Sequence, residues 1–562
     1  MKAIALKNNA VKMKFPVKAV IGTAAVIMIF LWPLLKLFSE AFIGQNGFTL
    51  GYFTEIFSDS GFYEVLLNSL FINILSTIGA AIPGVIFAYI MAYTDIPLKK
   101  YFHTLLLIPV VIPSYIVTLA WMQMLSKSGL IYRLTQFDLY SYAGIILMFS
   151  VCQYPMIYLL SLSHFRKIPR ELEQAADISG CGRLKSFRTI LLPMMKGTLA
   201  NSMLLVFLSC LDNFGIVAFI GIPANIQVLS TDIYKTVISG TDDSFQLSAA
   251  KAIILSVIAV LIMAVSKKIS DDAHAQGSEK EDMKPRIALG QSKYLLAAVM
   301  GIFIFFVNIF PMITLITSAL TKAKGVPFSF ETASFANFDK VLHNSKSMNG
   351  LCNSIILALG TVFICAVIGV TIAYLSERKK NPVAKYIQMI VTFPYSIPGI
   401  ILGLALILTY AKPVAGVTIY GTIWILLLSY VIRFTSVVLR SANTAFSQLD
   451  PAMEEAAEAG GSGNAAKWRK IILPLTSGPV ISGMGMVAIS SMMELTTSSL
   501  LWSGGSETVG VVIFNFTSAG MSNLASAYSS IILILILAVF MLYKLSVLLL
   551  TKGGKKYVDS NK

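Results

Sequence analysis

The sequence predicts an all-α integral membrane protein of about 12 transmembrane helices, arranged as two parallel six-helix repeats. Three observations carry this. Hydrophobic residues make up 56% of the chain and charged residues 13%, where a soluble domain carries about a quarter charged. Apolar runs near the ~20 residues needed to cross the hydrocarbon core recur along all 562 residues. Blocks of the first half also reappear in the second at a nearly constant spacing, which marks a duplicated unit.

The apolar runs fall at 17–38, 66–94, 103–125, 141–163, 195–222 and 246–266, then at 293–319, 352–377, 384–410, 417–440, 476–502 and 525–550. The first follows Lys2, Lys7, Lys12 and Lys14 and could pass for a signal peptide. Its length and the absence of a small-residue cleavage pattern favour an uncleaved first span.

A formal charge of +16 is the kind of excess that draws nucleic acid, but its placement follows membrane topology. With the N-terminus inside, the inner loops hold about thirty Lys and Arg against about eight outside, as positive-inside orientation requires. Segment 39–64 has no basic residue, whereas Arg166, Lys167, Arg170, Arg183, Lys185 and Arg188 crowd one inner loop. The expectation is a multi-pass protein of the bacterial inner membrane with both termini cytoplasmic, lipid around it and no nucleic-acid partner. Cys152, Cys181, Cys210, Cys352 and Cys365 show no CxxC pairing, and the four histidines no metal spacing. No resident cofactor or metal is expected.

The repeat is legible residue by residue. Asn68-Ser69 returns as Asn353-Ser354, Gly84 as Gly369, and Pro109 with Ile112-Pro113 as Pro394 with Ile397-Pro398, all offset by 285. Further on, Ile190-Leu191-Leu192-Pro193 returns as Ile471-Ile472-Leu473-Pro474, offset by 281. Six spans per half give both halves the same orientation, hence parallel repeats. The expected division is a first lobe at 1–266, a flexible cytoplasmic linker at 267–292, and a second lobe at 293–562.

Between the fourth and fifth spans of each half lies an inner loop of about thirty residues with one grammar. Gln174, Ala175, Ala176, Gly180, Ile190, Leu192 and Pro193 answer to Glu455, Ala456, Ala457, Gly461, Ile471, Leu473 and Pro474. Helix formers, a glycine stop and a proline suited to a first helical turn spell a short helix, a break and a re-entry. One such loop could be an interfacial amphipathic helix; two in register with a whole-chain repeat argue otherwise.

This pattern resembles the membrane permeases of ABC-type importers, whose loop reads Glu-Ala-Ala, three residues, Gly, nine residues, Ile-x-Leu-Pro. The second loop matches throughout; the first departs in having Gln174 for the acid. The resemblance implies that each short helix docks on an ATPase subunit. The chain has no GxxxxGK[ST] loop of its own. Two copies of a separate ABC ATPase and an extracytoplasmic substrate-binding protein are therefore the implied partners, and the chain itself is a transport subunit rather than an enzyme.

Two acids stand out within spans: Asp212, 19 residues after Pro193, and Glu494, 20 after Pro474. Intramembrane carboxylates are costly and default to function, so Asp212, Asn213, Glu494 and Thr496 are candidates for lining a translocation path. The bland alternative is that nearby backbone or hydroxyl donors hold each acid at a bend. Around Asp212-Asn213-Phe214-Gly215 the sequence is similar to the ferric-iron, 2-aminoethylphosphonate, thiamine and polyamine branch of these permeases, which ranks ferric iron first as the solute and 2-aminoethylphosphonate second. An ion-coupled secondary transporter is the rival of another class, and it leaves both long inner loops without a task. A membrane enzyme would need a nucleophile–base pair or metal cluster, and the sequence offers none.

Overall fold

The computed structural model describes residues 17–44, 47–126, 130–241, 243–273, 281–322, 328–413, 416–538 and 541. The first lobe contains α1 (Gly22–Glu40), α2 (Ser60–Tyr93), α3 (Lys99–Val111), α4 (Ser114–Met124), α5 (Tyr142–Lys167), α6 (Arg170–Ile178), α7 (Phe187–Asp212), α8 (Phe214–Ile220), α9 (Leu229–Ile238) and α10 (Ser244–Ser266). The second contains α11 (Ser292–Leu320), α12 (Ser345–Arg378), α13 (Pro382–Ser396), α14 (Gly399–Tyr410), α15 (Ile423–Gln448), α16 (Pro451–Ala459), α17 (Asn464–Met492), α18 (Ser498–Leu501), α19 (Val509–Ser518) and α20 (Ser522–Ala538). Each of these ten first-lobe helices thus has a counterpart ten labels later. A two-residue antiparallel pair, Ile43–Gly44 with Gly47–Phe48, follows α1.

Among the described residues nine helices are long and apolar enough to cross a membrane, or 11 with each bent pair taken as one span. The twelfth expected span, 525–550, lies partly outside the described residues; α20 is its described portion.

The third and ninth spans depart from straight crossings. α3 and α4 meet at 101°, and α13 and α14 at 110°. Proline strips the preceding residue of its helical conformation, so Ile112 (ψ 134) and Ile397 (ψ 133) are extended. The paired prolines therefore mark sharp corners.

Four other prolines leave a milder mark. Pro33, Leu192-Pro193, Pro311 and Leu473-Pro474 each open a helical stretch behind one turn of π-helix. A proline ring clashes with the carbonyl four residues back, and a single wide turn is the local remedy. Each lobe carries this device once in its first span and once in its fifth span, α7 or α17.

The fifth spans are also shorter at their C-terminal ends than 195–222 and 476–502 imply. α7 stops at Asp212 because Asn213 is extended (φ −81, ψ 99) and caps the next helix. The buried α8 then follows.

Within a lobe, α2 lies along α5 and α12 along α15. Gly84 and Gly369 permit this closeness: a Cβ on Gly84 would stand 2.9 Å from the Tyr154 carbonyl oxygen, and one on Gly369 3.0 Å from the Leu439 amide nitrogen. Between lipid-bathed helices such small residues replace hydrophobic force with close packing.

The first helix of each lobe packs against the other lobe. α1 packs on α13 and α14, and α11 on α3 and α4. Phe30 of α1 sits in the second-lobe core, and Leu34 and Leu37 of α1 join Met300, Ile304 and Leu315 of α11 in the larger core built mostly from the first lobe. Polar contacts fix the crossing: Asn308 Nδ2 donates to the Leu105 carbonyl at 2.9 Å and to Tyr154 Oη at 2.8 Å. Such interhelical bonds contribute about 0.6 kcal/mol each, so they set register more than strength.

Candidate functional site

Both inner loops form the expected short helix. α6 and α16 each span nine residues, and each ends at a glycine in the left-handed region, Gly180 at φ +71 and Gly461 at φ +76. The bonding pattern repeats too. Cys181 N donates to Ala176 O at 2.9 Å and Gly180 N to Asp177 O at 3.0 Å; Ser462 N donates to Ala457 O at 2.9 Å and Gly461 N to Glu458 O at 3.0 Å. This double bond satisfies the last carbonyls of a helix and turns the chain sharply.

The motif residues divide by burial. Gln174, Ala175, Glu455 and Ala456 are exposed, as are Leu192, Pro193, Leu473 and Pro474, while Ala176 is buried and Ala457, Ile190 and Ile471 are half-buried. Leu191 and Ile472, which the motif does not specify, are the buried anchors behind the exposed Leu-Pro pairs. One face of each loop is thus fastened to its lobe and the other is left facing out.

Glutamates one place before the motif supply the fastening. Arg378 Nε donates to Glu454 Oε1 at 2.7 Å, and Glu173 pairs with Arg286 and accepts from Tyr93 Oη at 2.9 Å. On the outer face of α16, the hydrogen bond from Lys467 holds the Glu458 carboxyl below its usual range.

Arg286 comes from the segment between the lobes, which is anything but loose where it is described. Asp282 N donates to Arg166 O, and the Arg286 and Ile287 amides both donate to Tyr93 O, each at 2.8 Å. Leu289 N donates to Asp95 Oδ1 at 2.9 Å. Residues 281–291 are therefore docked on the first lobe rather than flexible, and residues 274–280 lie outside the described residues.

The second constellation lies between the lobes. Arg433 of α15 reaches Asp212 of α7 through Nη2 at 2.6 Å and Glu494 through Nε at 3.5 Å. Asp212 also accepts from the Gly399 amide at 2.7 Å, which places a carboxylate on the N-terminus of α14, where the helix dipole favours negative charge. Glu494 accepts from the Thr497 amide at 2.9 Å and from the Thr497 hydroxyl at 3.3 Å. Two carboxylates on one guanidinium leave a formal charge of about −1 in a low-dielectric setting.

Asp212 and Glu494 converge on one cation, though they are not repeat partners. Asn213 is the counterpart of Glu494: it accepts from the Ile216 amide three residues on at 3.1 Å, as Glu494 does from Thr497. Its Nδ2 donates to Ser114 Oγ at 3.0 Å, and Ser114 is the counterpart of Gly399. Thr496 stands beside the cluster, its methyl 3.1 Å from where a Cβ on Gly399 would lie. The side chain of Asp212 is 36% exposed and that of Glu494 only 7%, so the cluster opens on the Asp212 side.

Sequence reasoning misses Arg433, although a signal existed. It is the sole charge in the apolar run 423–439, and the rule that flagged the two acids applies to it equally.

The chain matches the family described as binding-protein-dependent transport system inner membrane component over residues 84–273 and 366–553, and it belongs to that family. It is a multi-pass inner-membrane permease subunit of an ABC-type importer, a class that works with an ATPase and a substrate-binding protein. It is 23% identical over 550 residues to the ferric transport system permease protein FbpB of Actinobacillus pleuropneumoniae, covering 94% of this chain and 78% of that protein. To the Fe(3+)-transport system permease protein FbpB 2 of Haemophilus influenzae it is 22% identical over 476 residues, 83% of this chain and 86% of the other. A putative 2-aminoethylphosphonate transport system permease protein, PhnU of Salmonella typhi, is 26% identical over 229 residues, 39% of this chain and 79% of that one.

Proposed function

We propose that this permease admits ferric iron handed over by an external binding protein, driven by two copies of an ATPase subunit that dock beneath α6 and α16. Both termini then lie in the cytoplasm, where the basic inner loops place them, and ATP is bound by the partner subunits alone. The observation that carries the reading is the repeated geometry of the two inner helices, each anchored by a glutamate and each presenting an exposed Gln/Glu-Ala face. One docking face per lobe matches two ATPase copies per chain.

Ferric iron is favoured over 2-aminoethylphosphonate because the relatives matched over most of the chain are ferric permeases. Oxygen donors along the path suit a hard cation. In this reading Asp212, Asn213, Glu494 and Thr496 line the passage, and Arg433 holds the two carboxylates between passages.

Reconstitution of the chain with its ATPase and binding protein in proteoliposomes tests the proposal. ATP-dependent accumulation of labelled iron, and not of 2-aminoethylphosphonate, is expected. Uptake on an ion gradient by the chain alone would overturn it.

A further inference from the structure

The cytoplasmic ends of the two lobes repeat in detail, with one substitution. In the first lobe the Tyr89 ring meets Phe165 at 5.7 Å and Phe187 at 5.3 Å. In the second, Tyr374 meets Phe446 at 5.7 Å and Trp468 at 4.8 Å, from the equivalent positions. Four residues after Tyr374 stands Arg378; four after Tyr89 stands Tyr93. The second lobe therefore holds its short helix with a guanidinium from its own α12, and the first lobe has no such group in α2.

The missing guanidinium arrives from elsewhere in the chain. Arg378 donates to Glu454 and, through Nη1, to the Leu449 carbonyl at 2.8 Å. Arg286 pairs with Glu173 and donates through Nη2 to the Ile168 carbonyl at 2.7 Å. Glu173 and Ile168 are the repeat counterparts of Glu454 and Leu449, each 281 residues earlier. The Arg286 guanidinium also lies 5.0 Å from the centre of the Tyr93 ring, so it stacks on the residue that replaces arginine in the first lobe.

We infer that Arg286 is a positioning residue for α6, supplied by the interlobe segment in place of the arginine the first lobe lacks, and that residues 281–289 act as a strap tying the first docking helix to the start of α11. The strap is well made. Asp282 pairs with Arg170 at 3.7 Å and with Arg286 at 3.4 Å, and Arg170 Nη2 donates to the Pro285 carbonyl at 2.8 Å. Since α11 packs on the first lobe and begins the second, a displacement of α6 pulls on both lobes at once, whereas α16 is fastened within its own lobe. The two docking helices are thus alike in shape and unlike in what they drag.

The inference rests on α6 being an ATPase-facing helix, and the test separates the two claims. In the full transporter, native Cys181 beside α6 is crosslinked to a single cysteine on the ATPase, and solute moved per ATP is measured. Arg286→Ala should lower crosslink yield and coupled uptake about fivefold or more, the scale of an ordinary coupling free energy. Adding Tyr93→Arg, which restores a guanidinium at the position Arg378 occupies in the other lobe, should recover both. Unchanged yield and coupling in Arg286→Ala would overturn the strap, as would failure of Tyr93→Arg to rescue in protein that melts like the unaltered chain. No crosslink with Arg286 intact would instead overturn the docking of α6.

Discussion

Arg433 Nη2 stands 2.6 Å from Asp212 Oδ2 across the boundary between the two lobes. The contact joins α15 of one repeat to the end of α7 of the other, and the same guanidinium holds Glu494 at 3.5 Å. With its side chain 12% exposed, Arg433 is a buried charge that links the two lobes.

Removing it strands two acids. Arg433→Gln should destabilise the protein by about 3–5 kcal/mol, the cost of breaking a buried pair from one side, and should abolish uptake. Neutralising all three groups, with Asp212→Asn and Glu494→Gln added, should recover most of the stability without recovering transport. Thermal melting in detergent and uptake in proteoliposomes measure the two separately. A single variant that melts like the parent would show the triad to be ornamental.

Gly399 is a quieter test of the same junction. A methyl group there would overlap Arg433 Nη1, which is buried without a hydrogen-bond partner among the described residues. Gly399→Ala should push the guanidinium off Asp212 and reduce uptake, while Gly403→Ala, one turn along α14 with its nearest neighbour 3.3 Å away at the Leu500 side chain, should be far milder. Equal effects from the two would contradict this geometry.

At α6 and α16 the glycine stops are the vulnerable points. Gly180→Ala and Gly461→Ala each place a Cβ in the left-handed region, at about 1–2 kcal/mol. The double variant should fold, since both sites are exposed, yet bind its ATPase more weakly in co-purification. Undiminished co-purification would argue that the turn after each helix does not shape the contact.

The strap has a pH signature. The Asp282 carboxyl is held below its ordinary value, chiefly by the Lys284 amide and further by Arg170 and Arg286. A lowered carboxylate pKa means that its stabilisation is full above the unfolded value near ~4 and is lost as pH falls through the folded one. Hydrogen exchange at the Lys284 amide, which donates to Asp282 Oδ1 at 3.0 Å, should stay protected at neutral pH and lose protection below about 4. Asp282→Asn should flatten that dependence.

Much of this architecture was written in local pattern. Apolar length gave the spans, the 285 and 281 offsets gave the repeat, and the Ala-Ala to glycine spacing gave α6 and α16 with their stops. What local pattern could not carry was tertiary partnership. Arg286 lies 113 residues from Glu173, and its role shows only when both lobes are laid over each other. Asp212 and Glu494, 19 and 20 residues after their prolines, are one residue out of register; the capping bonds show that Asn213 holds the place equivalent to Glu494. The right-angled corners at Ile112-Pro113 and Ile397-Pro398 follow from proline in kind, though their size is set by the helices that pack around them.

The crossed leading helices have a consequence for dividing such a gene in two. Were the chain cut between residues 274 and 280, each fragment would carry the clasp that the other requires, α1 on one and α11 on the other. Neither product could reach its mature shape alone in the bilayer, and each would show α4 or α14 bare to lipid until its mate arrived. Fusion into one polypeptide removes that search, guarantees equal amounts of the two halves, and spares the cell an orphan half to degrade.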